Sequence, residues 1–324
     1  MSSEKPKLLV LELWNVGDLA LAAPFLGQAC EKFDVTLIAK PMAGELQGRL
    51  WPQVNHVPFC APWTVFKGKY RLYDWPWKDI TGLMGKVRAQ KFDIAVSGRY
   101  DPRDHLLMWL MSARRRFGFP RLGSQILLTN PLQATKPPAH RYAFWQRLAL
   151  ELGFELRQTG LVRRKQAETR VVVHTGARAV VRVWPLDRYR SLIRRLRERY
   201  EVQVLCDANQ MEYWTRHGEA AIAPRSLTEL MSFLDAATIC IGNDSGPGHL
   251  AAVLGVPTFT IFGPQLSSSF APIHPAAEWI EGAECPYKPC FDSCRFRVPH
   301  CLWNLDEETV CGKIETFVAK QMSA

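Results

Sequence analysis

Gly242-Asn-Asp-Ser-Gly-Pro-Gly-His-Leu-Ala-Ala-Val-Leu-Gly-Val-Pro257, running on through Thr258–Phe262 into Gly263-Pro264, is the stretch that decides the fold. It reads as a strand ending at Gly242, a tight glycine turn, and a helix opening near Pro247 with small residues on its packing face; a buried strand follows. Backbone N–H groups of Ser245 and Gly246 at a helix N-terminus make an anion site, and glycine lets a phosphate approach closely. On spacing alone, a plain strand-to-helix turn with Asp244 as cap accounts for the residues equally well. A hydrolase reading of Asp244, Ser245 and His249 lacks the G-x-S-x-G elbow it would need.

Working outward, the same pattern recurs. Leu8 to Leu13, Val35 to Ala39 and Phe92 to Ser97 are short apolar runs separated by helical stretches, and Val171 to His174, Val202 to Cys206 and Thr238 to Gly242 repeat the theme. Runs without strict alternation fit strands buried on both faces of a parallel sheet. Leu186, Tyr189, Ile193, Leu196 and Tyr200 recur at helical spacing between two of them. Two successive βα arrays predict an α/β chain of two doubly wound, Rossmann-like domains. The boundary falls in the polar segment Glu155 to Glu168, giving domains 1–160 and 161–324. Asn304 with Glu307 is expected to cap a final helix striped by Val310, Ile314 and Phe317.

At 324 residues the chain has room for two such domains, and 47% hydrophobic against 22% charged residues excludes wholesale disorder. The formal charge is +10, and the stretch Arg163 to Arg199 carries nine of the ten. Such a band predicts an anionic partner: a phosphate-bearing substrate, a membrane surface or nucleic acid. No signal-peptide core follows the polar start Met1 to Lys7, so a cytoplasmic chain is expected. Ser245 to Ala277 lack any charged residue, but five prolines exclude a membrane helix there.

Two further motifs carry chemistry. Leu8 to Leu13 runs into Trp14-Asn15-Val16-Gly17-Asp18 and on to Pro24, placing a carboxylate just after a glycine turn at the C-terminal edge of the first strand. A helix cap is the plainer alternative for Asp18. His174-Thr-Gly-Ala leads to Arg178, Arg182, Trp184 and Pro185, a second strand and turn with an arginine able to grip a diphosphate bidentately. Arg190, Arg194 and Arg197 beyond it read as a solvated helix face.

Taken in order, these three segments resemble glycosyltransferase family 9, the heptosyltransferases of lipopolysaccharide core assembly. The resemblance implies the GT-B architecture, an N-terminal domain for the acceptor and a C-terminal domain for an activated sugar, usually ADP-heptose. It implies Asp18 as the general base, with Thr175, Gly176, Arg182, Asp244, Ser245, Gly246 and His249 around the donor. The expected reaction is inverting transfer to an acidic glycolipid at the cytoplasmic face of the inner membrane. The chain contains no D-x-D, so fixed donors rather than Mg²⁺ are expected to stabilise the leaving group. Arg182 stands where many relatives have Lys, and Asp207, Asn209 and Glu212 are only general matches for a ribose contact.

Cys285, Cys290, Cys294 and Cys301, spaced C-x₄-C-x₃-C-x₆-C, are candidate ligands of a structural zinc or iron. Packed free thiols are the alternative. Pro62 to Trp77 crowds Trp63, Phe66, Tyr70, Tyr73, Trp75 and Trp77 among Lys67, Lys69 and Arg71, so Trp63, Lys67, Lys69 and Arg71 are candidate acceptor contacts. A loop burying its own rings is the competing reading. Another nucleotide sugar or a protein acceptor stays open; a nucleic-acid- or metal-responsive binding protein is disfavoured because no helix-turn-helix, RRM or zinc-finger pattern appears. No G-x-G-x-x-G or G-x-x-x-x-G-K-[ST] is present either.

Overall fold

The computed structural model describes residues 4–64, 71–133, 139–157 and 169–323. The chain divides into two compact units, Met1–Gln158 and Thr159–Ala324. In the first, β1 (Lys7–Glu12), β2 (Asp34–Ala39), β3 (Asn55–Pro58), β4 (Ile94–Ser97), β5 (Arg115–Gly118) and β6 (Asn130–Pro131) form a parallel sheet in the order β3-β2-β1-β4-β5-β6. In the second, β7 (Arg170–His174), β8 (Glu201–Leu205), β9 (Ala221–Ile222), β10 (Ile239–Asn243), β11 (Thr258–Phe262) and β12 (Glu278–Glu281) run β12-β11-β10-β7-β8-β9, again all parallel. Read from β3 in one and from β9 in the other, both sheets have the same doubly wound order, reversing direction between β1 and β4 and between β7 and β10. Ligands of open α/β sheets lie outside the strand C-termini at such reversals.

The apolar runs become central strands because both faces are covered. Leu8, Leu9, Val10 and Leu11 are fully buried, as are Val171, Val172 and Val173. Helix α1 (Val16–Ala29) follows β1, and α2 (Pro102–Leu110) and α3 (Arg141–Glu151) complete the helices that bear on the first reversal. In the second unit α4 (Leu186–Arg197) buries Tyr189, Leu192, Ile193 and Leu196 against β7 and β10 residues, while α5 (Gly246–Val253) follows β10. The final helix α6 (Glu307–Met322) packs Val310, Ile314 and Phe317 into the same core. Its cap is Asp306, whose carboxylate accepts from Thr309 N at 2.8 Å; Asn304 instead bonds His300, because the short helix His300–Trp303 occupies that stretch.

The basic band serves structure first. Arg188 donates to the carbonyls of Leu305 (2.7 Å) and Trp303 (2.9 Å), neutralising a helix C-terminus, and Arg195 pairs with Glu308 on α6. Arg197 pairs with Glu219 at 2.8 Å. The first two arginines tie the last helix and the segment before it to α4, and the third ties α4 to the turn before β9. Among the described residues no helix is long and apolar enough to cross a membrane.

Gly242 is required by the closeness of β10 to β7: a Cβ there would lie 2.8 Å from the His174 carbonyl oxygen. Gly242→Ala must therefore push central strands apart, and is expected to lower unfolding free energy by about 1–3 kcal/mol in a denaturant titration.

Candidate active site

At the first reversal the chain leaves β1 through Trp14 and Asn15 into α1. Asn15 is the N-cap, and Asp18 stands at the third helical position, its carboxylate accepting from Asn15 N at 3.4 Å. Asp18 is thus the returning acid of a capping box and not the cap itself. Across the reversal, β4 ends at Ser97 and delivers Arg99. The Arg99 guanidinium pairs with Asp18, lies 3.6 Å from Glu12 Oε1 and stacks over the Trp14 ring at 4.9 Å. Glu12, the last residue of β1, is 0% exposed. Burial pushes the Glu12 carboxyl up against the pull of Arg99, with Asp18 adding to the rise. Burial opposes the charge on Arg99, but Asp18 and Glu12 outweigh it and hold the guanidinium above its ordinary value.

Two further groups close this corner. Arg141 on α3 donates to Gly98 O at 2.9 Å and is pushed down to about 10, by burial first and then by neighbouring Arg99. Asp104 on α2 is fully buried, accepting from Ser97 Oγ at 3.0 Å and Trp63 Nε1 at 3.4 Å. Ser97 Oγ in turn accepts from Arg99 N at 3.3 Å, so Asp104 braces the loop that presents the arginine.

The candidate acceptor residues fare differently. Trp63 is only 3% exposed and packs on Phe59 and Trp75, with ring centroids 6.3 and 5.5 Å away, so it is core and cannot offer a face to a sugar. The aromatic cluster continues outward through Trp75 to Trp77 at 5.6 Å, and among the described residues of this stretch Tyr73 and Trp77 are the ones with large exposed rings. Arg71 is exposed; Lys67 and Lys69 lie outside the described residues.

At the second reversal the site is built around Asn243. Its buried amide accepts from Trp184 N (3.0 Å) and Tyr189 OH (2.9 Å) and donates to Thr175 O (2.9 Å) and Gly176 O (3.2 Å). One side chain thereby joins β10, the turn after β7 and the start of α4. Ser245 caps α5, so the backbone of Ser245 and Gly246 stands at the helix N-terminus, and His249 is buried on the helix. Thr175 does not face a ligand with its hydroxyl: it is fully buried and donates to Gln210 Oε1 at 2.9 Å, a partner with no local sequence signature. Gly176 lies beneath the Asp207 carboxylate, which a Cβ would meet at 2.4 Å. His174, the end of β7, is driven down by burial and held back by Asp207, 3.9 Å away.

Arg182 is only a quarter exposed and forks onto Asp292, with Nε–Oδ1 2.7 Å and Nη2–Oδ2 2.8 Å, while Nη1 reaches Asp244 Oδ2 at 3.1 Å. Asp292 and its neighbour Phe291 both adopt left-handed backbone, φ 68° and 47°, conformations that side chains resist unless the surroundings enforce them. Asp292 lies within the cysteine-rich segment. Cys285, Cys290, Cys294 and Cys301 line one cavity together with Tyr287, Lys288 and His300. As placed, no three His, Cys, Asp or Glu among the described residues are arranged to hold a metal ion. Cys311 is elsewhere, on the core-facing side of α6.

Burial above all, with nearby Asp101, pushes the Asp104 carboxyl from its ordinary 3.8 up to about 7. The folded chain therefore binds a proton that the unfolded chain has released between these values, so this group's contribution is fully present below 3.8 and is lost as pH rises through about 7. Asp104→Asn is expected to flatten the decline of stability over that interval, measured as the melting temperature of mutant and wild type at each pH.

The family model of glycosyltransferase family 9 (heptosyltransferase) matches residues 81–298. Lipopolysaccharide heptosyltransferase 1 of Pseudomonas aeruginosa is 32% identical over 165 residues, 44% of this chain and 46% of that protein, so the match spans under half the length of that relative. The solved E. coli heptosyltransferase WaaC with ADP superposes with TM-score 0.75 at 15% identity, covering 96% of this chain and 99% of that one. The iron-containing dodecameric glycosyltransferase TibC of enterotoxigenic E. coli gives 0.58 at 16%, over 98% and 77%. The last two likenesses establish the α/β fold of the GT-B class. The family model spans well over half the chain, and the chain belongs to glycosyltransferase family 9, the heptosyltransferase family.

Proposed function

We propose that the protein is an inverting, metal-independent glycosyltransferase that moves a sugar, most simply heptose from ADP-heptose, to a lipopolysaccharide core or related acidic glycolipid. Family membership and the WaaC likeness, a protein solved with ADP, support this donor class. The observation that carries the reading is the Asp18 carboxylate at the start of α1, at the first strand-order reversal, matched by a helix N-terminus and Arg182 at the second. In this reading the first unit receives the acceptor and the second holds the nucleotide sugar.

The chemistry assigned to these residues balances. An Asp18 carboxylate oxygen accepts the proton of the acceptor hydroxyl as the hydroxyl oxygen bonds to the anomeric carbon. The bond from that carbon to the diphosphate breaks, and its electron pair leaves on the diphosphate. Attack opposite the leaving group inverts the centre. Arg182 and the N–H groups of Ser245 and Gly246 compensate the charge that develops on the diphosphate, with Asp244 and His249 shaping the pocket. The basic surplus of the chain suits a weak, salt-sensitive association with an anionic membrane surface where such acceptors reside.

The cysteine segment is read as a structural metal centre: Cys285, Cys290, Cys294 and Cys301 hold one zinc or iron. Four thiols around one cavity have the donor chemistry of a tetrahedral site, and they would turn toward a common centre on binding. TibC, of the same fold, is described as iron-containing. The ion would anchor the loop that carries Asp292 and takes no part in the transfer step.

Two expectations test the reading. Calorimetry against ADP-, UDP-, GDP- and dTDP-sugars should show binding of the ADP-sugar, and Asp18→Asn should keep that affinity while transfer falls by roughly 10²–10⁴-fold. Binding of none of the four, or transfer surviving in the variant, would overturn it. Elemental analysis of untagged protein should find about one zinc or iron per chain, lost together with thermal stability in Cys290→Ser; free titration of all the thiols in the native state would return the segment to packed cysteines.

A further inference from the structure

Glu12 has no role in the account above, yet it is the most conspicuous buried group near Asp18. It is wholly inaccessible, ends the central strand of its sheet and points to the strand-order reversal. One carboxylate oxygen accepts from Trp14 N at 3.3 Å and faces Arg99 at 3.6 Å; the other, Oε2, has no hydrogen-bond partner among the described residues. A half-satisfied buried carboxylate costs stability, and an apolar residue would fit a central parallel strand better. The cost needs a function to offset it.

We propose that Glu12 is a positioning residue for the transfer reaction, acting through Arg99: the two carboxylates share one guanidinium, so that Arg99 orients Asp18 without suppressing its ability to take a proton. The inference rests on Asp18 being the general base. A carboxylate locked alone onto a guanidinium is a poor base, because the neighbouring positive charge favours its ionised form. Glu12 divides the attraction of Arg99 and adds its own repulsion toward Asp18. Once Asp18 has accepted the acceptor proton it is neutral, and Arg99 keeps Glu12 as its counter-charge, so no cation is stranded in this corner.

The surroundings fit this division of roles. Trp14 covers the Arg99 guanidinium, and its backbone N–H holds the Glu12 oxygen nearest Arg99. Asp18 sits on α1, Lys40 beyond β2 reaches Asn15 Oδ1 at 3.1 Å, Arg141 comes from α3 beside Tyr100, and Asp104 faces the corner from α2. Arg141 acts on both carboxylates and Asp104 on Glu12 and Arg99, whereas Glu12 and Asp18 are the pair that meet Arg99 in direct contact.

The test is the pH dependence of kcat/KM for the full chain with ADP-heptose and a heptose-less lipopolysaccharide. Removing the Glu12 charge in Glu12→Gln leaves Arg99 entirely to Asp18, so the acid limb should move down by about one pH unit while the plateau rate falls several-fold. Arg99→Met should move the limb the opposite way. Glu12→Asp, which keeps the charge but withdraws it from Arg99, should shift the limb in the same direction as Glu12→Gln but by less, and it serves if the amide variant does not fold. Donor affinity by calorimetry should stay at the wild-type value in all three. An acid limb unmoved in both Glu12 variants, with Asp18→Asn inactive, overturns the role of Glu12 and leaves the base intact; transfer surviving in Asp18→Asn removes the base and this inference with it.

Discussion

A parallel sheet covered by helices on both faces has nowhere to put polar chemistry except at its strand ends. That constraint governs this chain twice. Strands β1 and β7 are apolar through their centres and polar only at their ends, Lys7 and Glu12 in one and Arg170 and His174 in the other, and it is Glu12 and His174 that lie at the C-terminal edge. Because helices leave to opposite faces on either side of β1/β4 and β7/β10, the backbone parts there and side chains from several segments can converge. Glu12, Asp18 and Arg99 meet at the first such point and Asn243, Asp244 and Arg182 at the second, each group drawn from segments far apart in the chain. Asn243 shows how costly precision is met: all four of its bonds are buried, and together they set the turn after β7 relative to β10.

Much of this was legible from residues alone. Buried strands announce themselves as short β-branched runs, and Thr258–Phe262 and the start of α4 at Leu186 fall where periodicity places them. The strand-to-helix turns before α1 and α5 were equally readable, but their glycines belong to the flanking elements: Gly17 is the second residue of α1, Gly242 lies in β10 where a Cβ would meet the His174 carbonyl, and Gly246 opens α5. What local pattern could not supply was partnership. Arg99 lies 81 positions beyond Asp18 in a stretch with no motif, and Asp292 is 110 residues from Arg182, so neither pair leaves a trace in spacing.

The misplacements have the same origin. Trp63 among cations looks like a sugar platform until its indole N–H is seen to be spent on buried Asp104. Thr175 sits in a phosphate-like turn, but Gln210 claims its hydroxyl. Asn304 and Glu307 have the spacing of a capping pair, yet Asp306 offers a carboxylate one position before the helix and competes successfully for the Thr309 N–H. In each case the residue type was read correctly and a buried partner redirected it, which is how tertiary structure overrides local propensity.

Both centres turn out to share one electrostatic design. Arg99 serves Glu12 and Asp18; Arg182 serves Asp244 and Asp292. A guanidinium presents several N–H donors in a plane, so it can hold two carboxylates at once where a lysine ammonium would act as a point charge. At Arg99 the second carboxylate comes from the rigid central strand, which fixes the arginine from behind. At Arg182 it comes from a loop with left-handed backbone at consecutive residues, set among four thiols. The two second carboxylates therefore differ in what can move. Glu12 is fully inaccessible and immovable without disrupting β1, whereas Asp292 rides on a surface segment, and an anion at Arg182 has to compete with it for the same fork. In the proposed reading, anchoring that segment through its cysteines is a direct means of setting how strongly the arginine is held, which gives the cysteine cluster a physical connection to Arg182.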